Sequence, residues 1–147
     1  MVDLGGIAVL SLDREFRIWS AFVNESTEPR QGAAGHYSKA VCSGDLIFTA
    51  GHLPERASEG AHDGLAFEEQ VGSAFKGLFA TLAAFSAAPR DVVKVTAYVV
   101  GVERWGEFNR LFAAAFGDHR PARTVLPVAE LHHGCLVEVE AIARRSV

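Results

Sequence analysis

Several short stretches of the chain alternate between apolar and polar residues or form short apolar runs, and each predicts a β-strand. Ser43, Gly44 and Asp45 separate two of these stretches in the manner of a tight hairpin. Two polar segments, 24–35 and 52–64, have the composition of loops. The predicted strands are Ile7–Leu10, Phe16–Val23, Lys39–Cys42, Leu46–Ala50, Val92–Val100, Thr124–Val128 and Leu136–Ala143.

Two longer stretches repeat their apolar residues at steps of three and four, which predicts amphipathic helices. The second helix runs from about Arg104 to Phe116, and Gly117 ends it. Rows of aromatic residues at helical spacing are far more typical of a core than of a cofactor site, so we expect both stripes to be buried. The first stripe is Phe67, Val71, Ala74, Phe75, Leu78, Phe79, Leu82 and Phe85, and the second is Trp105, Phe108, Leu111, Phe112 and Ala115.

The order of the elements is strands, helix, strand, helix, strands, and the length of 147 residues fits one domain. This order predicts an α+β sandwich with two helices on one face of a mixed sheet. The other face mixes apolar and ionisable residues, which favours a subunit interface containing a site. A solvated face is the alternative. Val93, Val95, Ala97, Val99, Val137, Val139, Ala141 and Ala143 are expected toward the helices, and Val92, Lys94, Thr96, Tyr98, Val100, Leu136, Glu138, Glu140 and Ile142 away from them.

Charge and composition narrow the range of functions. The net charge is −4, and the cations form no cluster larger than pairs along the sequence, which argues against nucleic-acid binding. Cys42 and Cys135 stand in apolar surroundings and predict buried thiols in a reducing compartment. No stretch has the pattern of a signal peptide or a membrane span, so the expected location is the cytoplasm.

Metal and nucleotide chemistry find little support in the sequence. His132 and His133 are adjacent and would point to opposite sides of an extended chain. His36, His52, His62 and His119 fall in separate predicted loops without the spacing of a zinc site. The chain also lacks the glycine-rich phosphate loops and the serine nucleophile elbow. We therefore expect no metal site, and several standard enzyme classes find no support in the sequence.

One arginine and one carboxylate remain as candidates for chemistry. Arg123 precedes an apolar strand, and a half-buried guanidinium needs a planar anionic partner. That partner is either a substrate carboxylate, held bidentately, or Glu138 or Glu140 in a structural salt bridge. Glu138 lies on the mixed face, where apolar surroundings would raise its pKa and suit it to proton transfer.

Five motifs, in order from about Gly35 to Ala143, resemble the RidA (YjgF/YER057c/UK114) family. The arginine motif and the final strand are the most specific of them. The motifs are Gly35–Val41 (GHYSKAV), Ser43–Pro54 (SGDLIFTAGHLP), Asp91–Thr96 (DVVKVT), Phe108-Asn109 followed by Phe116–Thr124 (FGDHRPART), and Val137–Ala143 (VEVEAIA).

The resemblance implies a chorismate-mutase-like subunit, assembled as a homotrimer with clefts between subunits. It also implies a hydrolase of the 2-iminobutanoate/2-iminopropanoate deaminase type, which converts enamine and imine acids to 2-keto acids and ammonia without a cofactor. Carried over to this chain, Arg123 binds the substrate carboxylate and Glu138 positions or activates water. Tyr37 lines the cleft from the neighbouring subunit, and Gly51 approaches the ligand with its backbone.

Departures from the motifs indicate a divergent subgroup with its own pocket wall. Ala50, His52, His36 and Val125 stand where the family usually has serine, glutamine, proline and cysteine, and residues 1–34 form a longer N-terminal extension. His36 and His52 are either pocket groups or solvated loop residues. Substrates resembling 2-aminoacrylate or 2-aminomuconate fit such a subgroup. A non-catalytic ligand-binding or chaperone-like trimer and a ribonuclease are the alternative functions.

Overall fold

The structure is a computed structural model that describes residues 23–26, 36–55 and 65–145. The predicted strand Ile7–Leu10, most of Phe16–Val23 and His62 lie outside these residues. Turns of 3-10 helix span Pro89–Asp91, Val102–Arg104 and His132–Gly134. The main elements are β1 (Val23–Ser26), β2 (Ala40–Ser43), β3 (Leu46–Thr49), α1 (Phe67–Ala84), β4 (Val92–Val100), α2 (Trp105–Phe116), β5 (Ala122–Val128) and β6 (Val137–Arg144).

The strands form one mixed sheet in the order β1-β2-β3-β6-β4-β5, and two helices pack on one face of it, which confirms the predicted α+β fold. β4 and β5 are parallel, and the other neighbours are antiparallel. A parallel pair needs a crossover connection, and α2 supplies it. The β2–β3 hairpin is also confirmed: Ser43 pairs with Leu46, and Gly44 takes a positive φ of 59° in the turn.

The core lies between the helix-bearing face of the sheet and the two helices. Two polar side chains, which the apolar pattern did not include, are buried in α1. The Gln70 amide oxygen accepts a hydrogen bond from the Leu136 backbone N–H at 2.9 Å, and Thr81 bonds to His52. Buried polar groups of this kind need such partners. Cys42 and Cys135 are buried, as the sequence predicted.

Several predicted boundaries were wrong by a few residues. Asn24–Ser26 were expected in a loop, but they belong to β1, which pairs with β2 through its backbone. β5 begins at Ala122 rather than Thr124, so Arg123 lies inside the strand. Strand pairing with a distant segment decides both cases, and local composition does not reveal it.

Two predicted core residues lie at the surface instead. A β-bulge between Val92 and Lys94 shifts the alternation, so Val92 is buried and Val93 is 45% exposed. Trp105, at the first turn of α2, is 51% exposed because its ring lies beside the Arg123 guanidinium rather than in the core.

The fold gathers positive charge that is scattered along the sequence. Arg90, Arg120, Arg144 and Arg145 line one cleft, although along the sequence they form no cluster larger than a pair. Among the described residues, no helix is long and apolar enough to span a membrane.

Candidate active site

A cavity of about 1020 Å³ opens at the end of the sheet where β6 begins. Five of the predicted site residues line it: Tyr37, Ala50, Gly51, His52 and Glu138. The remaining lining residues are Lys39, Leu53, Pro54, Glu130, Leu131, His132 and His133.

The segment that follows β3 forms the floor of this cavity. His52 makes a single antiparallel bridge with Val139 of β6, its N–H donating to the Val139 carbonyl at 2.7 Å and its carbonyl accepting at 3.1 Å. This bridge lays Gly51 directly against Glu138, the residue before Val139. A Cβ atom at position 51 would overlap the Glu138 carboxyl oxygen and would lie 2.8 Å from the carboxyl carbon. Only glycine allows the loop and the carboxyl group to approach so closely.

Glu138 is an acid of this cavity whose pKa is shifted. Burial raises the pKa of its carboxyl group, and the nearby Glu140 carboxylate raises it further, while His132 opposes the shift. The described part of the chain gives Glu138 no salt bridge. A carboxyl group with a raised pKa and no salt bridge among the described residues is suited to accept and return a proton.

The His52 imidazole points away from the open cavity toward α1 and is buried. Its Nδ1–H donates to the Ala50 carbonyl at 2.9 Å, since a carbonyl can only accept. Burial lowers the pKa of the ring, so the imidazole is neutral and its Nε2 accepts from the Thr81 hydroxyl at 2.8 Å. The interpretation of His52 as a solvated loop residue is therefore wrong. His36 is exposed and does not line the cavity.

The two adjacent histidines lie on the opposite wall from this loop, in the turn before β6. The chain is not extended there, because His133 has a left-handed φ of 57°. Their rings consequently lie beside each other in an edge-to-face arrangement with centroids 4.7 Å apart, contrary to the expectation for an extended chain. Within the described ranges, no group of three or more histidine, cysteine or acidic side chains is placed to hold a metal ion.

Arg123 occupies a different pocket, between α2 and β5. Its Nη2 donates to the Asn109 side-chain oxygen at 2.9 Å. The guanidinium carbon lies 4.6 Å from the centre of the Phe112 ring and 5.8 Å from that of Trp105. Cation–π contacts of this kind hold the guanidinium in place without neutralising its charge. Val125, two residues further along β5, packs partly buried against the core.

Arg123 and Glu138 lie on opposite faces of the sheet. Arg123 is in register with the buried Val95, whereas Glu138 is in register with Tyr98, on the face without helices. Two strand spacings and three residue steps separate their Cα atoms by about 14 Å. No ion pair in the described ranges involves Arg123, so the alternative of a structural salt bridge to Glu138 or Glu140 within one chain is wrong.

Comparison with known proteins agrees with the motifs. The family model described as endoribonuclease L-PSP matches residues 27–145. The chain belongs to this family, the RidA (YjgF) family. A RutC family protein of Pyrococcus horikoshii is 32% identical over 117 residues, which cover 80% of this chain and 93% of that protein.

Two further RidA relatives have solved structures. A YjgF/YER057c/UK114 family member from Mycobacterium tuberculosis has a TM-score of 0.68 and 32% identity, covering 81% of this chain and 95% of its own. Escherichia coli TdcF, provisionally named a reactive intermediate deaminase, is 27% identical over 82% of this chain and 95% of its own. Its crystal structure with bound serine has a TM-score of 0.70 and 25% sequence identity, covering 85% of this chain and 98% of that chain.

Several groups around the Glu138 cavity and the Arg123 pocket were not predicted as site residues from the sequence. Lys39 stands inside the GHYSKAV motif at the position that the motif leaves variable, so the motif drew no attention to it. Glu130 and His132 reach the cavity only because the turn before β6 folds over it. Asn109 was visible as part of a motif, but its bond to Arg123 depends on how α2 packs against β5.

Proposed function

We propose that this RidA family member is a cofactor-independent enamine/imine deaminase. Its substrates are carboxylic acids resembling 2-aminoacrylate or 2-aminomuconate, and its products are 2-keto acids and ammonia. The observation that carries the proposal is the Glu138 carboxyl group, which has a raised pKa, no salt bridge with any described residue and a glycine backbone against it in a large cavity. The name given to TdcF, and the serine bound in its crystal structure, support a small amino-acid-like ligand for the family.

The position of Arg123 implies that the working site is shared between two copies of the chain. A substrate in the Glu138 cavity is too far from the same chain's Arg123 for both groups to bind it. We propose a homotrimer in which the Arg123 of one copy faces the Glu138 cavity of the next. Tyr37 lines the same cavity as the Glu138 of its own chain. The resemblance assigned Tyr37 to the neighbouring subunit, whereas in this proposal the neighbouring copy supplies Arg123 instead.

The face of the sheet without helices supports assembly. Leu46, Phe48 and Leu126 on this face are 37%, 38% and 40% exposed in the single chain. They surround Glu140 and Tyr98, whose hydroxyl donates to the Glu140 carboxylate at 3.4 Å. Apolar side chains spread over a whole sheet face are typical of an interface between subunits.

The chemistry requires orientation and one group that transfers protons. The Arg123 guanidinium binds the substrate carboxylate through two parallel hydrogen bonds. The enamine tautomerises to the imine, and Glu138 takes a proton from the water that adds to the imine carbon. Glu138 then returns this proton to the nitrogen, which gives the carbinolamine. Transfer of the carbinolamine hydroxyl proton through Glu138 to the same nitrogen releases ammonia and forms the carbonyl. Holding the reacting groups together supplies most of the rate acceleration for a reaction that also proceeds in water.

An experiment with two inactive variants tests the shared site. Arg123→Ala and Glu138→Gln are each expected to lose turnover of 2-iminobutanoate generated in situ by an amino-acid oxidase. When the two variants are co-expressed and assembled at random, about one quarter of the interfaces combine an intact Arg123 with an intact Glu138. Activity should therefore recover to roughly that fraction of wild type.

Three results would contradict parts of the proposal. If co-expression recovers no activity while each variant still assembles, Arg123 and Glu138 do not act across an interface. Light scattering that gives the 15.8 kDa mass of a single chain at micromolar concentration would exclude the trimer. A wild-type protein that binds 2-ketobutyrate but turns over no imine would favour the alternative of a non-catalytic ligand-binding trimer.

The buried thiols of Cys42 and Cys135 are consistent with the cytoplasm as the proposed location.

A further inference from the structure

A lysine lies in the Glu138 cavity, at some distance from the proposed chemistry. Lys39 lines this cavity and is half-buried immediately before β2 begins. Its backbone carbonyl accepts a hydrogen bond from the Ala50 N–H at 2.8 Å. The next pair along the hairpin is Ala40 with Thr49, so the pairing of the two strands continues as far as Lys39 and Ala50. This backbone contact fixes where the lysine enters the cavity.

The distance between Lys39 and Glu138 follows from the pairing of the strands. Lys39 lies opposite Ala50, and His52 pairs with Val139, the residue after Glu138. Two strand spacings and two to three residue steps therefore separate the Cα atoms of Lys39 and Glu138, which is about 12 Å. The cavity is lined between them by small residues, since Ala50 has only a methyl side chain and Gly51 has none. An elongated ligand can thus reach from the Glu138 carboxyl group to the lysine.

The Lys39 ammonium group forms no salt bridge with any described residue. Glu130, the other acid that lines the cavity, belongs to the segment between β5 and β6 and does not pair with it. The charge of Lys39 reaches the cavity floor: burial lowers the pKa of His52, the bond to the Ala50 carbonyl opposes this shift, and Lys39 lowers the pKa further. A half-buried ammonium group in such a position is stabilised by an anionic ligand.

We propose that Lys39 binds a second carboxylate group of the substrate, so that the preferred substrates are imines of dicarboxylic amino acids. This inference rests on the proposed function and specifies its substrate class. The neighbouring copy's Arg123 binds the carboxylate beside the imine carbon, Glu138 serves the imine carbon, and Lys39 binds the far end of the molecule.

The span between Glu138 and Lys39 sets the length of this substrate. If the charged ends are as far apart as the Cα atoms, contacts of about 3 Å at each end leave about 6 Å between them. An extended chain of about four to five bonds from the imine carbon to a carboxylate oxygen fills this gap, which corresponds to a dicarboxylic acid of about five or six carbon atoms. The three-carbon imine derived from 2-aminoacrylate has no second carboxylate and leaves Lys39 without a ligand.

The ratio of kcat/KM for two imines of equal chain length tests the proposal. 2-Iminoglutarate, generated in situ from glutamate by a glutamate oxidase, carries the second carboxylate. 2-Iminopentanoate, generated from norvaline by an amino-acid oxidase, lacks it. Wild type should prefer 2-iminoglutarate by about tenfold or more, because one charge-assisted contact is added.

Variants of two lysines assign this preference. Lys39→Gln should lower the ratio by about tenfold, and Lys39→Arg, which keeps the charge, should retain most of it. Lys76→Gln is the matched control, since Lys76 is an exposed lysine on α1 that pairs with Glu55. It should leave kcat/KM for both imines within about twofold of wild type. Lys39→Met, which has a similar length and no charge, replaces Lys39→Gln if the glutamine variant does not fold.

Failure of this proposal is distinguishable from failure of the proposed function. A ratio near one in wild type, or an equal ratio in Lys39→Gln, would exclude Lys39 as a specificity-determining residue and leave the deaminase proposal intact. If neither imine is turned over, the deaminase proposal fails, and calorimetry with 2-ketoglutarate and 2-ketopentanoate decides on Lys39. Tighter binding of 2-ketoglutarate that is lost in Lys39→Gln and kept in Lys39→Arg would support the lysine as a carboxylate site, whereas equal binding of the two keto acids would overturn it.

Discussion

The Glu138 cavity and the Arg123 pocket solve the problem of a partly buried charge in opposite ways. Burial and the nearby Glu140 carboxylate raise the pKa of the Glu138 carboxyl group, so the negative charge is disfavoured there although His132 opposes the shift. The guanidinium of Arg123 keeps its charge and rests on the faces of Phe112 and Trp105, with one donor bonded to Asn109. Neither group forms an ion pair with another described residue of its own chain.

This difference shows which half of the site serves which purpose. A group whose proton is easily gained and lost can transfer protons, and a group that is always charged can only bind and orient. Because neither group has an ion-pair partner among the described residues, each lowers the stability of the single chain. Variants that remove each group should therefore separate binding, proton transfer and stability.

The largest effect is expected at Arg123. Arg123→Ala should weaken 2-ketobutyrate binding by about 100-fold or more, because a bidentate charge-assisted pair is lost. Arg123→Lys keeps the charge but not the planar fork, so most of the activity should also be lost. The melting temperature should change little in both variants, since no salt bridge within the described chain is broken. Titration calorimetry and thermal denaturation on the same samples check this. A variant that unfolds early but still binds the ligand would make Arg123 a structural residue.

A smaller effect is expected at Gly51, which lies against the Glu138 carboxyl group. In Gly51→Ala the new methyl group overlaps the Glu138 carboxyl group and must displace it, so kcat should fall by about tenfold or more while the fold persists. Gly72→Ala is the matched control. Gly72 is an exposed glycine of α1 with open space around its missing Cβ, and its substitution should raise stability by about 0.5–1 kcal/mol without changing kcat. Normal kcat in Gly51→Ala would show that the position of Glu138 is not critical.

Glu138→Gln should separate function from stability. Turnover should fall, yet the variant should have a higher melting temperature than wild type at pH 8. A carboxyl group whose pKa is raised by folding contributes stability that is present below its unfolded pKa and lost as pH rises through the folded pKa. Glutamine resembles the protonated acid and loses nothing in that window. The difference between the two melting temperatures should therefore vanish near pH 4. Equal values at pH 8 would show that the carboxylate carries no penalty.

The local elements of this fold could be predicted from the sequence, whereas their arrangement could not. Alternation and helical spacing placed α1, β4 and α2 because their apolar residues face one core. The bulge at Val92 was not predictable, since it depends on one extra residue relative to Ala143 on the neighbouring strand.

The candidate site shows the same division. Motifs identified Arg123 and Glu138 as residues of interest, but the order of the strands decides that they lie on opposite faces. Lys39 and the arginine cleft were missed because their neighbours come from distant segments. Pairings of high sequence separation leave no local pattern to interpret.

The smallest effect is expected at His52, which lines the Glu138 cavity and whose ring bonds to Ala50 and Thr81 rather than to Glu138 or Arg123. Its ring bonds to Ala50 and Thr81 while its backbone bonds to Val139, so it holds Gly51 against Glu138. His52→Ala should cost about 1–3 kcal/mol, because the buried Thr81 hydroxyl loses its partner, and should lower kcat a few-fold with little change in KM.

The conservative variant His52→Gln separates this positioning role from a direct role in catalysis. A glutamine can donate to one partner and accept from the other, so it should restore most of the lost stability and kcat. Folding lowers the pKa of His52, and the stability that the neutral ring contributes is therefore lost as pH falls below its ordinary value of 6.5. His52→Gln should lack this acid-side loss in a series of melting curves from pH 8 to pH 5. If glutamine restores stability but not kcat, the imidazole itself takes part in the reaction, and Glu138 is not the sole proton-transfer group.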